Sequence, residues 1–140
     1  MFGRDLIRKR RNETVEHFLA RLVYLEKVLM VFRDEEYEII EEYPREKKAR
    51  ADLVVLNIQE NTIEVWVEVQ ETPLTKDEWK RKLVAAKCYK PKKIHVVLTE
   101  KSRKNKSVVK TILKQLRVPF KIFVVNTKEL NVSEVNLRKN

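Results

Sequence analysis

Glycine is nearly missing from this chain, whose 140 residues hold a single one, Gly3. Loops that cradle phosphate with backbone amides need several glycines at fixed spacing, so neither a dinucleotide fingerprint nor a Walker loop has its material here. Cysteine is as scarce. Cys88 stands alone, which excludes an internal disulfide, and with only His17 and His95 beside it no Cys/His zinc site can be assembled. It reads as a packing residue. The two histidines have no Gly-x-Ser-x-Gly turn to serve, which argues against serine- or thiol-nucleophile hydrolysis. Apolar runs never approach the length of about eighteen residues that a membrane span requires, and the N-terminus lacks an apolar signal core. An intracellular, cytoplasmic protein without membrane contact is expected.

What the chain has is charge. Charged residues make up 37%, and 31 Lys and Arg against 21 Asp and Glu give +10 and a pI near 9.7. Such a balance attracts polyanions, nucleic acid foremost, although a Lys-rich surface also serves solubility alone. At 43% hydrophobic the length suits one core, so residues 1–140 are read as a single domain. Within it, residues 1–11 form a basic N-terminal arm and residues 127–140 a tail in which 129–137 hold a short element. Arg8, Arg10 and Arg11 are the arm's phosphate-gripping candidates; a solvated extension of the following helix is the competing reading.

Asn12 is positioned to cap a helix running to about Phe32, with Val15, Phe18, Leu19, Leu22, Leu25 and Leu29 as its apolar stripe. Glu16 borders that stripe, while Glu13 and His17 fall toward solvent. Residues 37–43 read as a strand, 44–50 as a basic connection ending in Arg50, and 52–58 and 62–70 as a hairpin pair turning through Gln59, Glu60 and Asn61. Thr75 and Glu78 form a capping box for a helix over 76–87, whose seam is Trp79, Leu83 and Ala86 and whose remaining surface carries Lys76, Lys80, Arg81 and Lys87, which with Arg50 join the arm as nucleic-acid-binding candidates. A strand over 93–99, a helix over 106–117 and a strand over 120–126 complete the pattern. The order predicts an α/β domain, a mixed central sheet flanked by helices, with an antiparallel meander first and parallel crossovers after it.

The chemistry concentrates on two strands. A carboxylate is costly in a β-branched run, and Glu68 lies among Ile63, Val65, Val67 and Val69. Alternation sends those four residues to one face and Glu64, Trp66, Glu68 and Gln70 to the other. Hairpin pairing brings Asp52 beside the end of the next strand, so Asp52, Glu68 and the Gln70 amide are expected to converge. Hard oxygen donors at one point suit Mg²⁺ or Mn²⁺. A water-facing sheet surface is the bland alternative, favoured by Glu64 and opposed by Trp66, a large aromatic that asks for cover.

Arg50-Ala51-Asp52 and Glu68-Val69-Gln70, in an αβββαβ order over roughly residues 12–100, resemble the PD-(D/E)XK nuclease superfamily with its restriction-endonuclease-like core. The Arg-Ala-Asp and Glu-Val-Gln-Glu-Thr runs, with Arg81 and Tyr89, are similar to competence-protein-like nucleases; the small basic chain is similar to archaeal-type Holliday junction resolvases. The resemblance implies metal-dependent hydrolysis of DNA phosphodiester bonds, including branched or junction DNA, with a two-fold dimer for cutting both strands. It implies Mg²⁺ or Mn²⁺ held by Asp52, Glu68 and the carbonyl of Val69, a supporting glutamate at Glu16, and a water-positioning role for Gln70. Gln70 stands where lysine is usual and Ala51 where proline is common. Glutamine carries no charge and takes no proton, so Lys76, Lys80 or Lys87 is expected to replace the lost charge. The alternative is a catalytically inactive nuclease-like nucleic-acid-binding domain. A third class is a structural module whose basic face meets acidic proteins.

Overall fold

Six strands lie side by side in chain order: β1 (Tyr37–Tyr43), β2 (Ala51–Asn57), β3 (Thr62–Gln70), β4 (Lys93–Thr99), β5 (Phe120–Asn126) and β6 (Asn131–Glu134). A computed structural model describes residues 8–44 and 51–136. Arg50, nearly all of the basic connection, the first seven residues of the arm and residues 137–140 fall outside them. β1, β2 and β3 pair antiparallel, β3, β4 and β5 pair parallel, and β6 returns antiparallel. The parallel pairs need crossovers, which are α2 (Lys76–Cys88) and α3 (Lys106–Leu116). Both lie on one face, as same-handed crossovers between successive neighbours require. The other face is covered by α1 (Val15–Lys27). The chain is therefore an α/β domain with a mixed sheet between helices.

Strand alternation divides the core. Trp66, Ile94, Val96, Leu98, Ile122 and Val124 meet Trp79, Leu83 and Ala86 of α2 and Val109, Ile112 and Leu113 of α3. Leu53, Val55, Val65, Val67, Val69, Val97 and Phe123 meet Ala20, Val23, Tyr24 and Leu25 of α1. Trp66 is fully buried and stacks on Tyr89 just past α2, with ring centroids 5.0 Å apart. Tyr24 Oη and His95 Nδ1 are 2.6 Å apart within the α1 layer. Burial there holds the imidazole down at about 3, hence neutral.

Two local expectations need correcting. A bulge between Val55 and Leu56 sets two β3 residues against one β2 residue, which turns Ile63 to the Trp66 side instead of the Val65 side. The first helix is capped by Thr14, not Asn12, and stops at Lys27 before a 3-10 turn over Leu29–Phe32. Its buried face is rotated from the apolar stripe: Val15 is exposed and Phe18, Leu19 and Leu22 are half-buried, whereas Arg21 is buried completely. α2, by contrast, has the expected capping box and buried seam. The tail's short element is β6. Among the described residues no helix is long and apolar enough to cross a membrane.

With so little glycine, left-handed positions fall to other residues: Glu42, Asn61, Lys90, Arg117 and Leu130 all have φ between 51° and 57°. Lys90, just past α2, costs about 1–2 kcal/mol there, partly offset by the roughly 0.5–1 kcal/mol that glycine would lose as unfolded-chain entropy. Lys90→Gly should therefore raise stability by ~0.5 kcal/mol, seen as a higher melting temperature; a lower one would count against left-handed strain at this site.

Candidate functional site

Leu53 opposite Val67 is the last registered pair between β2 and β3 toward this end of the sheet. Beyond it the backbone groups of Val69 are met by side chains. Its N–H donates to Asp52 Oδ2 at 2.8 Å, and its carbonyl lies 3.1 Å from His17 Nε2. Asp52 Oδ1 accepts from Arg10 Nη1 at 3.0 Å and lies 3.4 Å from His17 Nε2, while Arg10 Nη2 donates to the Asp52 carbonyl at 2.8 Å. The far nitrogen of His17 is held by Glu13. Both imidazole nitrogens thus face oxygen atoms of the protein.

Glu13 also takes two bonds from Arg21, from Nε at 3.0 Å and Nη2 at 2.9 Å. Arg21 reaches on to Glu41 of β1, and Arg10 lies 3.7 Å from the same carboxylate. A closed ring of polar side chains results: Glu13, Arg21, Glu41, Arg10, Asp52, His17. Burial would raise the Glu13 carboxyl, but Arg21, the Arg10 backbone amide and His17 outweigh it and hold it at about 2. Glu13 and His17 were expected at the solvent side of the helix; the ring draws them inward because a buried guanidinium needs its carboxylates. Apolar periodicity carries no mark of this. The signal that was present is a Glu, His and Arg at four-residue spacing, positions 13, 17 and 21, the first just before the helix and the other two on one face of it.

Glu68 lies on the other face of β3, beneath α2. Its carboxyl is buried, Oε2 accepts from Trp66 Nε1 at 2.8 Å, and Oε1 has no hydrogen-bond partner. Lys82 Nζ is 3.6 Å from that Oε1. Burial pushes the Glu68 carboxyl up to about 8, with the Asp52 charge adding to the rise and Lys82 opposing it. Lys82 is thus the α2 lysine beside the carboxylate, in place of the expected Lys76, Lys80 or Lys87. Lys80 and Arg81 instead border a shallow surface hollow with Asp77 and Val84, and Lys87 donates to the Leu116 carbonyl. Lys76 is exposed at the first turn of α2.

Gln70 turns away from both carboxylates, its amide donating to the Thr72 carbonyl at 2.9 Å. Asp52, Glu68 and Gln70 therefore share one corner of the sheet without meeting at a point. Glu16 is not brought there, since it pairs with Lys101 at 2.6 Å. The glutamate that His17 links to Asp52 is Glu13, just before the helix. A cleft of about 550 Å³ opens at this corner, lined by Arg10, Arg11, Glu13, His17, Gln70 and Glu71 among others. Arg8 is exposed, and its carbonyl accepts from Arg21.

The donor chemistry of this corner fits a hard divalent cation. Asp52 Oδ1, the Val69 carbonyl and the unpartnered Glu68 Oε1 are all oxygen, the kind Mg²⁺ and Mn²⁺ take. Among the described residues, however, no three His, Cys, Asp or Glu side chains stand close enough to hold an ion by themselves. Arg10 is the cation on Asp52 in this structure. No protein-family model matches this chain, and neither does any curated protein or solved structure.

Two outcomes follow from the site's electrostatics. The folded protein keeps the Glu68 proton between the usual carboxyl value of 4.5 and about 8, whereas the unfolded chain releases it, so this residue lowers stability as pH rises through that window. Glu68→Gln should melt above wild type by a margin that widens from pH 5 to pH 8, reaching roughly 3 kcal/mol; a margin independent of pH would refute the buried acid. Arg21→Met strands Glu13 and Glu41 and should cost about 3–5 kcal/mol in urea unfolding. A loss below about 1 kcal/mol would mean that the ring is not built around this guanidinium.

Proposed function

We propose that this chain is a metal-dependent nuclease of the PD-(D/E)XK type, hydrolysing phosphodiester bonds in DNA. The observation that carries the reading is Glu68, a buried carboxyl with one oxygen unpartnered, beside Asp52 at the corner where two strands part. The Trp66 hydrogen bond gives no reason to keep it, because a glutamine would accept it equally. A divalent ion gives one. Asp52, Glu68 and the Val69 carbonyl would hold Mg²⁺ or Mn²⁺, which supplies activation of a water and neutralisation of phosphate charge when bound.

The chain's own residues have the supporting tasks. Lys82, 3.6 Å from Glu68, brings the positive charge that Gln70 lacks. Gln70, at the rim of the cleft, offers a carbonyl and an amide for holding a water once released from Thr72. His17, fixed by Glu13, keeps the Val69 carbonyl and Asp52 in place. Cutting both strands of a duplex or junction calls for two such sites and hence a two-fold dimer. A second reading, a nuclease-like domain that binds nucleic acid without cutting it, is favoured by one observation: Arg10 already occupies Asp52, where the ion would have to displace it.

Linear, supercoiled and four-way-junction DNA incubated with Mg²⁺, Mn²⁺ or EDTA decides between them. Cleavage should depend on the ion, vanish in Asp52→Asn and Glu68→Gln, and fall about 10–100-fold in Lys82→Ala with little change in DNA affinity. Absence of cleavage on every substrate would favour the binding-only reading, and full activity in both carboxylate variants would remove this site from the chemistry.

A further inference from the structure

The charge of +10 is not spread over the chain. Residues 101–128 hold nine Lys and Arg and no Asp or Glu, which leaves 22 Lys and Arg against 21 Asp and Glu for everything else. The surplus therefore belongs almost wholly to the β4–α3 connection, α3 and β5. On α2, by contrast, the basic residues are interrupted by Asp77 and Glu78.

We propose that residues 101–117, the β4–α3 connection and the exposed side of α3, form the docking surface for a nucleic-acid backbone that leads into the cleft at Asp52. The connection is fixed to the cleft's border by buried polar side chains. Thr99 Oγ1 donates to the Glu71 carbonyl at 2.7 Å, Ser102 Oγ to the Gln70 carbonyl at 2.7 Å, and Asn105 bonds both backbone groups of Leu74 at 2.8 and 3.2 Å. Ser102 is wholly buried and Thr99 nearly so. Three buried hydrogen-bonding side chains spent on one loop hold it rigidly beside Gln70 and Glu71, and lysines on a rigid loop lose less entropy when they grip phosphate. Lys101 spans the remaining gap, pairing with Glu16 of α1 and with Glu71, which lines the cleft.

Beyond the loop, Lys106, Lys110 and Lys114 recur every four residues and share one face of α3, each about 6 Å further along the axis. Lys106 and Lys110 border a groove of about 630 Å³ with Arg103, Ser107, Asn126 and Ser133. Glu100 and Glu134 also line it, and pair across the surface with Arg103 at 3.6 Å and Lys121 at 3.9 Å. A row of cations with hydroxyls and amides at its base suits phosphates and sugars, which set position without reading sequence. The surface rests on the nuclease reading only for where the bound strand leads, not for the binding itself.

Fluorescence anisotropy of the full chain in EDTA, on labelled duplex DNA, single-stranded DNA and RNA across a salt series, tests the surface without turnover. Lys104→Glu/Lys106→Glu should weaken binding at least about 10-fold and reduce the log–log salt slope by about 2, with Lys80→Glu/Arg81→Glu losing less. Lys104→Gln/Lys106→Gln should show the same direction at smaller size, so a folding defect in the first variant does not shield the proposal. Unchanged affinity in both Lys104/Lys106 variants, or a larger loss from the α2 pair, overturns it. So does a wild type that prefers anionic vesicles or an acidic protein to every oligonucleotide. Because nothing is cut in EDTA, lost binding supports the surface even if the protein never cleaves, and unchanged binding in an enzyme that does cleave refutes the surface alone.

Discussion

A buried guanidinium organises the end of this molecule where Asp52 and Glu68 lie. Arg21 has lost its water, and an unpaired ion in that position costs several kcal/mol. Its carboxylates come from two places, Glu13 before α1 and Glu41 on β1, so satisfying it fixes the N-terminal segment, the helix and the edge strand together. The rotation of α1 follows, with Phe18, Leu19 and Leu22 only half-buried while a polar row faces the sheet. From that rotation come the contacts of His17 with Val69 and Asp52 and the place of Arg10 over Asp52.

The two sides of the sheet divide the work unequally. The α2 and α3 side is an apolar layer built on Trp66 and Trp79, and among the described residues its one buried carboxyl is Glu68. On that side two buried polar atoms lack a hydrogen-bond partner among the described residues, Trp79 Nε1 and Glu68 Oε1, and of these only the glutamate can carry a charge. On the α1 side polar groups are many, but nearly every one has a partner. The buried carboxyl of Glu68 is the costliest of these groups, at the corner where Asp52 also lies.

Charge is arranged with the same economy. Glu13, Asp52, Glu68 and Glu71 gather around one corner, a field that repels phosphate unless cations answer it. Arg10, Arg21 and Lys82 answer within the site, and residues 101–128 supply the excess outside it. A polyanion approaching from that side meets attraction before it meets the carboxylates.

Much of the fold was legible from local pattern. The spans of β1, β3, β4 and β5, the capping box of Thr75 and Glu78 and the seam of Trp79, Leu83 and Ala86 are set by alternation, helical spacing and short-range hydrogen bonds, which depend on neighbours in the chain. That Asp52 and the end of β3 share a corner also followed from hairpin pairing. The inward turn of Glu13, His17 and Arg21 did not, nor the choice of Lys82, the turn of Gln70 toward Thr72 or the bulge that moves Ile63. Each depends on a partner that only folding supplies: Glu41 twenty residues from Arg21, Asp52 forty-two residues from Arg10. Hydrophobic periodicity decides which elements form, because apolar burial is non-directional and needs only a face. Where a charged side chain goes was decided by tertiary structure, because its burial requires a particular opposite charge at hydrogen-bonding distance.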